Sequence, residues 1–188
     1  MTTLSIPVII GSTRRGRYTP RLAKLIYAKL ESHPGIDPVL IDLAHYDLPM
    51  MEERLSKLEE PPQRLVEFGR HIDAADAIVI ATPEYNKGYP GVLKNAIDHL
   101  GSEFRRKPVG IATHSVGAFG GIVVLQQLRI VMMNLGAVPI PAAITVPHIH
   151  ETLDEDGRAL DKNFDRRAER FVEELVWYAE ALARQRGL

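Results

Sequence analysis

Two glycine-punctuated loops, each directly after an apolar run, hold the side chains best suited to chemistry. The first is G-S-T-R-R-G-R at residues 11–17, which follows the apolar residues 6–10. The second is T-P-E-Y-N-K-G-Y-P-G at residues 82–91, which follows the apolar residues 77–81. An apolar, β-branched run that stops at a polar loop and restarts as a helix predicts strand, loop and helix. Ligands of open parallel sheets bind in such loops, at the carboxyl ends of the strands.

The first loop has the chemistry of an anion site. It offers two hydroxyls and three guanidinium groups, from Ser12, Thr13, Arg14, Arg15 and Arg17. Thr19 is predicted to cap the next helix, with Pro20 at its first position, and a helix N-terminus attracts anions. No Gly-Lys-Ser/Thr follows and G-x-G-x-x-G is absent, so the loop favours one terminal monophosphate over a pyrophosphate or triphosphate. A solvated basic turn is the alternative.

The second loop and a third, H-S-V-G-A-F-G-G at residues 114–121, suit a flat polar ring. Tyr85 can flank an aromatic ring, and Asn86 supplies both a donor and an acceptor. The glycines of the third loop let backbone N–H groups face a ligand edge, where the next helix adds its positive end. Glycines before a helix are by themselves ordinary turn chemistry. Three suitable loops at strand ends together predict a bound flavin nucleotide.

Five strands alternating with five helices are predicted to position these loops. The strands are expected at residues 4–10, 37–43, 77–81, 109–113 and 137–140. The helices are expected at residues 20–32, 62–75, 91–100, 121–135 and 161–184. This alternation implies βαβ units, and right-handed crossovers would place helices on both faces of a parallel sheet. The predicted fold class is α/β, with a doubly wound five-stranded parallel sheet.

The helix at residues 121–135 predicts self-association. Its apolar residues point nearly all round, so it must be buried on both sides, and one sheet covers only one of them. We therefore expect a homodimer or homotetramer, with Val124 and Val131 on the side that faces the partner. An isolated chain would expose a larger apolar patch than soluble proteins usually tolerate.

Several features leave alternatives open. Residues 46–61 are expected to form a loop with a short helical turn, and residues 141–160 form either a lid or interface arm or a solvated excursion. Trp177 lies on the charged side of the last helix, as an interface anchor or a surface residue. His148 and His150 could lie on one side of a strand, but further metal ligands at suitable spacing are lacking, so no metal is predicted.

Composition bounds the function. The chain has 188 residues, 45% hydrophobic and 25% charged, which is typical of one soluble domain spanning residues 1–188. A net charge of −1 argues against nucleic acid as a partner. No apolar stretch is long enough to span a bilayer, and the N-terminus lacks the pattern of a signal peptide. There is no cysteine, so thiolate chemistry is excluded. A cytoplasmic location is expected.

The three loops resemble those of the NAD(P)H-dependent FMN reductase family of flavodoxin-like proteins, which includes quinone, azo-dye and chromate reductases. G-S-T-R-x-G-R resembles the family's phosphate loop. T-P-E-Y-N-x-x-x-P-G-x-L-K-N-A-I-D, at residues 82–98, resembles its most specific segment. S-V-G-x-x-G-G, at residues 115–121, resembles its third loop. The similarity extends from residue 4 to about residue 149, and the flavodoxin-like fold has strand order 2-1-3-4-5.

The resemblance also implies which residues bind FMN. The phosphate would be held by Ser12, Arg14, Arg17 and Thr19. The ribityl chain and ring would be lined by Pro83, Glu84, Tyr85 and Asn86, and the ring would be contacted by Ser115 and Gly117. Many family members have Ser-x-Asn where this chain has Arg17-Tyr18-Thr19.

The implied function is an FMN-dependent oxidoreductase. It would take hydride from NADPH or NADH by a ping-pong mechanism and reduce a small-molecule acceptor: flavin, quinone, azo dye or metal oxyanion. Because the flavin carries the chemistry, no side chain is assigned a catalytic role. One alternative is a flavodoxin-type electron carrier without NAD(P)H turnover, against which the net charge of −1 and the apolar fourth helix argue. A non-redox module that binds a monophosphate is another.

Overall fold

The computed structural model describes residues 3–187, and a five-stranded parallel sheet lies at their centre. The strands are β1 (Leu4–Ile10), β2 (Ile36–Asp42), β3 (Ile78–Pro83), β4 (Pro108–His114) and β5 (Val138–Val146). The helices are α1 (Thr19–Glu31), α2 (Leu43–Tyr46), α3 (Gln63–Asp73), α4 (Gly91–Asp98), α5 (Ile122–Asn134), α6 (Ile149–Thr152) and α7 (Lys162–Arg186). A 3-10 turn at Leu55–Lys57 is the helical turn expected within residues 46–61, and a second one occupies Ser102–Phe104.

The strand order is β2-β1-β3-β4-β5, and the predicted doubly wound α/β fold is confirmed. α1 and α7 cover one face of the sheet, where they pack against Val8 of β1. α3, α4 and α5 cover the other face, to which Ile9 of the same strand contributes. β3 and β4 are buried along their whole length, as strands covered by helices on both faces must be.

The strand order brings the three predicted loops to one edge of the sheet. β3 lies between β1 and β4, with Ile10 opposite Ala81 and Pro83 opposite His114. The loops that follow these strands therefore start side by side at the carboxyl edge. Ligands of open α/β sheets bind at this edge.

β5 is longer than the sequence predicts, because it continues to Val146 instead of ending at residue 140. Pro139 and Pro141 interrupt the apolar pattern from which the strand was predicted. Proline is tolerated here because β5 is an edge strand, with β4 as its only neighbour in the sheet of residues 3–187. The prediction that residues 141–146 are loop is therefore wrong.

Residues 147–160 pack against α1 instead of extending into solvent. Arg21 donates a hydrogen bond to the carbonyl of Leu153 at 3.0 Å, and Leu153 is fully buried. His148 immediately precedes α6 and His150 lies within it, so the expectation that both lie on a strand is wrong. The segment after β5 is anchored beside the start of α1 and next to the carboxyl edge.

The rest of the chain covers only one side of α5. Its buried stripe consists of Val124, Leu125, Leu128 and Met132. Val124 is fully buried there, so the prediction that it faces outward is wrong; helical register places it one turn before Leu128, on the sheet side. Ile130 and Met133, 65% and 58% exposed, do point outward, and Val131 is half-buried. The apolar outer face that the sequence predicted is therefore present, in a different register.

α7 is amphipathic, as predicted. Its buried residues include Phe164, Ala168, Phe171 and Leu175, while Tyr178 and Leu182 are half-buried. Trp177 is 63% exposed on the opposite side. Although α7 has 25 residues, no helix within residues 3–187 has the length and apolar content to cross a membrane.

A buried lysine ties the end of α3 to the start of β4. The Lys107 ammonium donates to the carbonyl of Ile72 at 2.6 Å and to that of Asp73, and only 6% of the residue is exposed. These carbonyls belong to the last turn of α3, where the helix itself provides no N–H donors for them. Burial lowers the pKa of Lys107 from 10.5 to about 8.

Replacing Lys107 by Met should lower the free energy of unfolding by about 1–3 kcal/mol, because the Asp73 carbonyl loses its donor and the buried Ile72 carbonyl keeps only the Ala75 N–H. Between pH 8 and 10.5 the unfolded chain binds the proton more tightly than the folded one, so this lysine makes wild-type stability rise with pH. In urea titrations between pH 8 and 10.5, the free energy of unfolding of Lys107→Met should not show this rise with pH. The exposed Lys57→Met is the control and should behave as wild type. Equal stability of the two variants would contradict the assignment.

Candidate functional site

The first loop starts tightly packed and then leaves its backbone amides free. A Cβ on Gly11 would lie 2.9 Å from Leu93 Cδ2 and 3.1 Å from the Ala81 carbonyl, so glycine is required where the chain leaves β1. Within the described chain, the N–H groups of residues 12–16 donate no hydrogen bond to another protein group. They lie just before α1, whose N-terminus carries a partial positive charge. Free amides beside a helix N-terminus form an anion site.

The loop's arginines have different surroundings. The Arg17 guanidinium lies 2.5 Å from Asp42 Oδ2, at the end of β2, and also donates to the carbonyl of Ser12. Its charge is therefore balanced, and it holds the loop in shape. Arg14 is exposed, with its guanidinium carbon 6.0 Å from the centre of the Tyr85 ring, and within residues 3–187 it forms no ion pair. Arg14 is thus available to an anion, whereas Arg17 acts on the loop itself.

Ser12 and Thr19 meet beneath the loop. Their hydroxyl oxygens lie 2.7 Å apart, and Thr19 Oγ1 lies 2.9 Å from Nε2 of His114. Tyr18 occupies the N-cap of α1, so the predicted capping role of Thr19 is wrong; its hydroxyl contacts Ser12 and His114 instead. Burial lowers the pKa of His114 to about 4, so the ring is neutral at neutral pH. Its Nδ1 is buried and has no hydrogen-bond partner among residues 3–187.

The second loop contains a tight turn. Tyr85 and Gly88 exchange backbone hydrogen bonds of 2.8 and 2.9 Å. Asn86 and Lys87 between them have φ angles of 51° and 65°, as a type I′ turn requires. The turn places Tyr85 beside Arg14 of the first loop. It also places the Lys87 ammonium 5.3 Å from the centre of the Phe119 ring in the third loop.

Glu84 provides a buried carboxylate between the second and third loops. Its side chain is 10% exposed, with Oε1 3.5 Å from the Lys87 ammonium. Its Oε2 is buried and has no hydrogen-bond partner within the described chain. The Glu84 N–H donates to the carbonyl of His114 at 3.0 Å, and Pro83 is buried at the end of β3. Because an unpaired buried oxygen is costly, this oxygen suits a donor group on a ligand.

The third loop is organised by Ser115. Its Oγ accepts from the Gly120 N–H at 3.0 Å and donates to the carbonyl of Gly117 at 2.9 Å. Gly120 and Gly121 have φ angles of 60° and 83°, and a Cβ on either would approach other atoms to 2.9 and 2.8 Å. Glycine is therefore required at both positions by the backbone. Gly117 is exposed, with open space where a Cβ would lie.

The structure thus gathers every predicted site residue at one edge and adds two that sequence reasoning did not assign to the site. Asp42 neutralises Arg17. It ends the strand next to β1, so the strand order could have placed it beside the first loop. His114 ends β4, and only the folded chain shows its ring against Thr19.

The arrangement fits a ligand with a phosphate at one end and a polar ring at the other. Free amides and Arg14 form the anion end, while the unpaired Glu84 oxygen and the open Gly117 backbone lie towards the other end. Residues 4–151 match the family described as NADPH-dependent FMN reductase. The chain belongs to this family. The predictions of FMN as the cofactor and NAD(P)H as the reductant are confirmed at the level of the family.

Known proteins support the same assignment. This FMN reductase is 31% identical over 177 residues to an FMN-dependent NADPH-azoreductase from Staphylococcus haemolyticus, which covers 90% of this chain and 92% of that protein. The FMN-dependent NADPH-azoreductase of Staphylococcus aureus strain USA300 is 32% identical, with the same coverage. Among solved structures, FerB, a flavoenzyme NAD(P)H:(acceptor) oxidoreductase from Paracoccus denitrificans, superposes with a TM-score of 0.79 at 26% identity, covering 95% of this chain and 98% of FerB.

Replacing Arg14 by Ala should weaken FMN binding by about 1.5–3 kcal/mol, the scale of a hydrogen bond to a charged group. Fluorescence titration of the purified apoprotein measures this affinity. Arg170→Ala removes the same charge from the exposed side of α7 and should leave the affinity unchanged. Equal FMN affinity in Arg14→Ala and wild type would exclude Arg14 as a phosphate ligand.

Proposed function

We propose that the FMN phosphate binds in the first loop. The observation that carries this proposal is the set of free amides at residues 12–16 beside the unpaired Arg14. Arg17 supports the same loop through its bond to the Ser12 carbonyl, while Ser12 and Thr19 support it from beneath. Only one anion site of this kind lies in residues 11–19, so we expect FMN to bind in preference to FAD.

We further propose that the other two loops hold the rest of the cofactor. The ribityl chain and ring would be lined by Pro83, Glu84, Tyr85 and Asn86, with Ser115 and Gly117 at the ring. The buried, unpaired Oε2 of Glu84 supports a contact with a ribityl hydroxyl or a ring N–H. The open space at Gly117 supports close approach of the ring to backbone. Ser115 acts here through the loop, since its hydroxyl already bonds within it.

When bound, FMN supplies the redox chemistry: it accepts hydride from NAD(P)H and returns electrons to an acceptor. The residues of this chain bind and orient it. Hydride transfer needs no side-chain acid or base, and none is proposed. Because NAD(P)H is an intracellular reductant, we place the enzyme in the cytoplasm.

We propose a flat aromatic compound, such as an azo dye, a quinone or a free flavin, as the electron acceptor. Val116 and Phe119 of the third loop are 61% and 70% exposed. Exposed apolar side chains at a binding loop favour aromatic ligands over a hydrated metal oxyanion. Both substrates would use the same face of the cofactor, which implies ping-pong kinetics.

Anaerobic mixing of FMN-loaded protein with NADPH or NADH should bleach the flavin absorbance before any acceptor is added. Initial rates with a quinone or azo dye should then give parallel double-reciprocal lines, as ping-pong kinetics require. Stopped-flow absorbance measures the first reaction and steady-state kinetics the second. Stable flavin absorbance with both nicotinamides would favour the electron-carrier alternative.

We also propose that the outer face of α5 joins two copies of the chain. The exposed Ile130 borders a groove of about 390 Å³ between α4 and α5. Ile130 also borders a second groove, shared with Tyr89 of the second loop. A single chain leaves this apolar surface exposed, and a two-fold dimer would bury it against its own copy.

Replacing Ile130 by Glu should shift the protein towards the monomer, because an unpaired carboxylate is costly to bury in an interface. Light scattering at micromolar concentration measures the change. Val66→Glu is the control, since Val66 is 42% exposed on α3, away from α5, and should leave the assembly intact. A wild-type monomer at that concentration would refute the proposed interface.

A further inference from the structure

A buried chain of hydrogen bonds runs from the first loop to the end of β4. Ser12 Oγ lies 2.7 Å from Thr19 Oγ1, which lies 2.9 Å from His114 Nε2. Ser12 and Thr19 are fully buried and His114 is 4% exposed. These hydrogen bonds end at His114 Nδ1, which is buried and has no partner in the part of the chain that the structure describes. This relay, Ser12–Thr19–His114, connects the loop for the phosphate with the strand that precedes the third loop.

The relay has one donor too many. A neutral imidazole carries one N–H, and each hydroxyl carries one O–H, which gives three donors. The two contacts of the relay use two of them. If the spare proton lies on Nδ1 of His114, it is buried without an acceptor, which is costly. If it lies on the hydroxyl of Ser12, it belongs to the first residue after Gly11, in the loop whose amides are free.

We propose that His114 is a positioning residue for the phosphate: its Nε2–H donates to Thr19, Thr19 donates to Ser12, and the Ser12 hydroxyl donates to the phosphate. The proposal rests on the function proposed above, in which FMN binds with its phosphate in this loop. A phosphate accepts hydrogen bonds and, as a dianion, donates none. It therefore fixes the direction of the whole relay and selects the tautomer of His114 that is protonated on Nε2.

The neutral state of His114 fits this role. A charged imidazolium would keep a proton on Nδ1, where burial leaves it unpaired. In the neutral ring the same atom carries only a lone pair, which is less costly to leave unpaired than a charged donor.

The test compares FMN with riboflavin, which lacks the phosphate. The side-chain amide of Gln extends to the position of Nε2 in His, whereas that of Asn reaches only to the position of Nδ1. His114→Gln therefore keeps the donor to Thr19 and His114→Asn removes it. Titration of wild type and both variants with each flavin gives the ratio of the two affinities. Circular dichroism checks that each variant is folded.

We expect His114→Asn to reduce FMN affinity roughly tenfold or more, the scale of one hydrogen bond to a charged group, with riboflavin affinity unchanged. His114→Gln should retain most of the wild-type ratio. Equal losses for both flavins, or no loss in His114→Asn, would overturn the relay. If wild type does not prefer FMN over riboflavin, the proposed phosphate site itself fails, which is a different outcome.

A second measurement reads the protonation of His114 directly in the wild-type chain and uses a variant only to assign the signals. Nitrogen-15 NMR of labelled histidines distinguishes a protonated from an unprotonated ring nitrogen, and the signals missing in His114→Gln identify His114. In the FMN complex Nε2 should be protonated and Nδ1 unprotonated. A proton on Nδ1 in that complex would overturn the proposed direction.

Discussion

The site depends on three adjacent parallel strands that end at the same edge of the sheet. β3 lies between β1 and β4, so the loops that follow these three strands must be neighbours. A few direct contacts therefore join the loops. The Arg14 guanidinium lies over the Tyr85 ring, the Lys87 ammonium lies over the Phe119 ring, and the Glu84 N–H donates to the His114 carbonyl. A different strand order would separate the same residues, even if every loop kept its local shape.

The conformation of the first loop is stabilised by one of its own charged side chains. Arg17 is neutralised by Asp42 from the adjacent strand and closes onto the Ser12 carbonyl. Arg14 remains exposed beside the free amides. The Arg17 guanidinium therefore shapes the loop, while that of Arg14 stays available to an anion.

Much of this fold could be predicted from local sequence, because its strands are apolar runs that stop at glycine or proline. The strand order and the three loops could be predicted from those runs and from the family resemblance. The register of α5 could not, because nearly every side of that helix is apolar and the pattern does not say which residues face the sheet. The carboxyl-terminal part of β5 could not be predicted, because its prolines interrupt the apolar pattern. Asp42 and His114 join the site only through contacts between residues distant in sequence, such as Thr19 with His114.

The prolines of β5 also restrict how copies of this chain can meet. Val138 donates its N–H to Lys107, towards β4, so Pro139 faces the open side of the sheet and has no N–H to offer there. The next groups along are occupied, since Arg129 bonds the Pro141 carbonyl and Glu174 accepts from the Ala142 N–H. An incoming strand would therefore find no free backbone N–H at Pro139, Pro141 or Ala142. Pairing of another strand along this part of β5 is therefore disfavoured, because each such pairing needs backbone donors that are missing here.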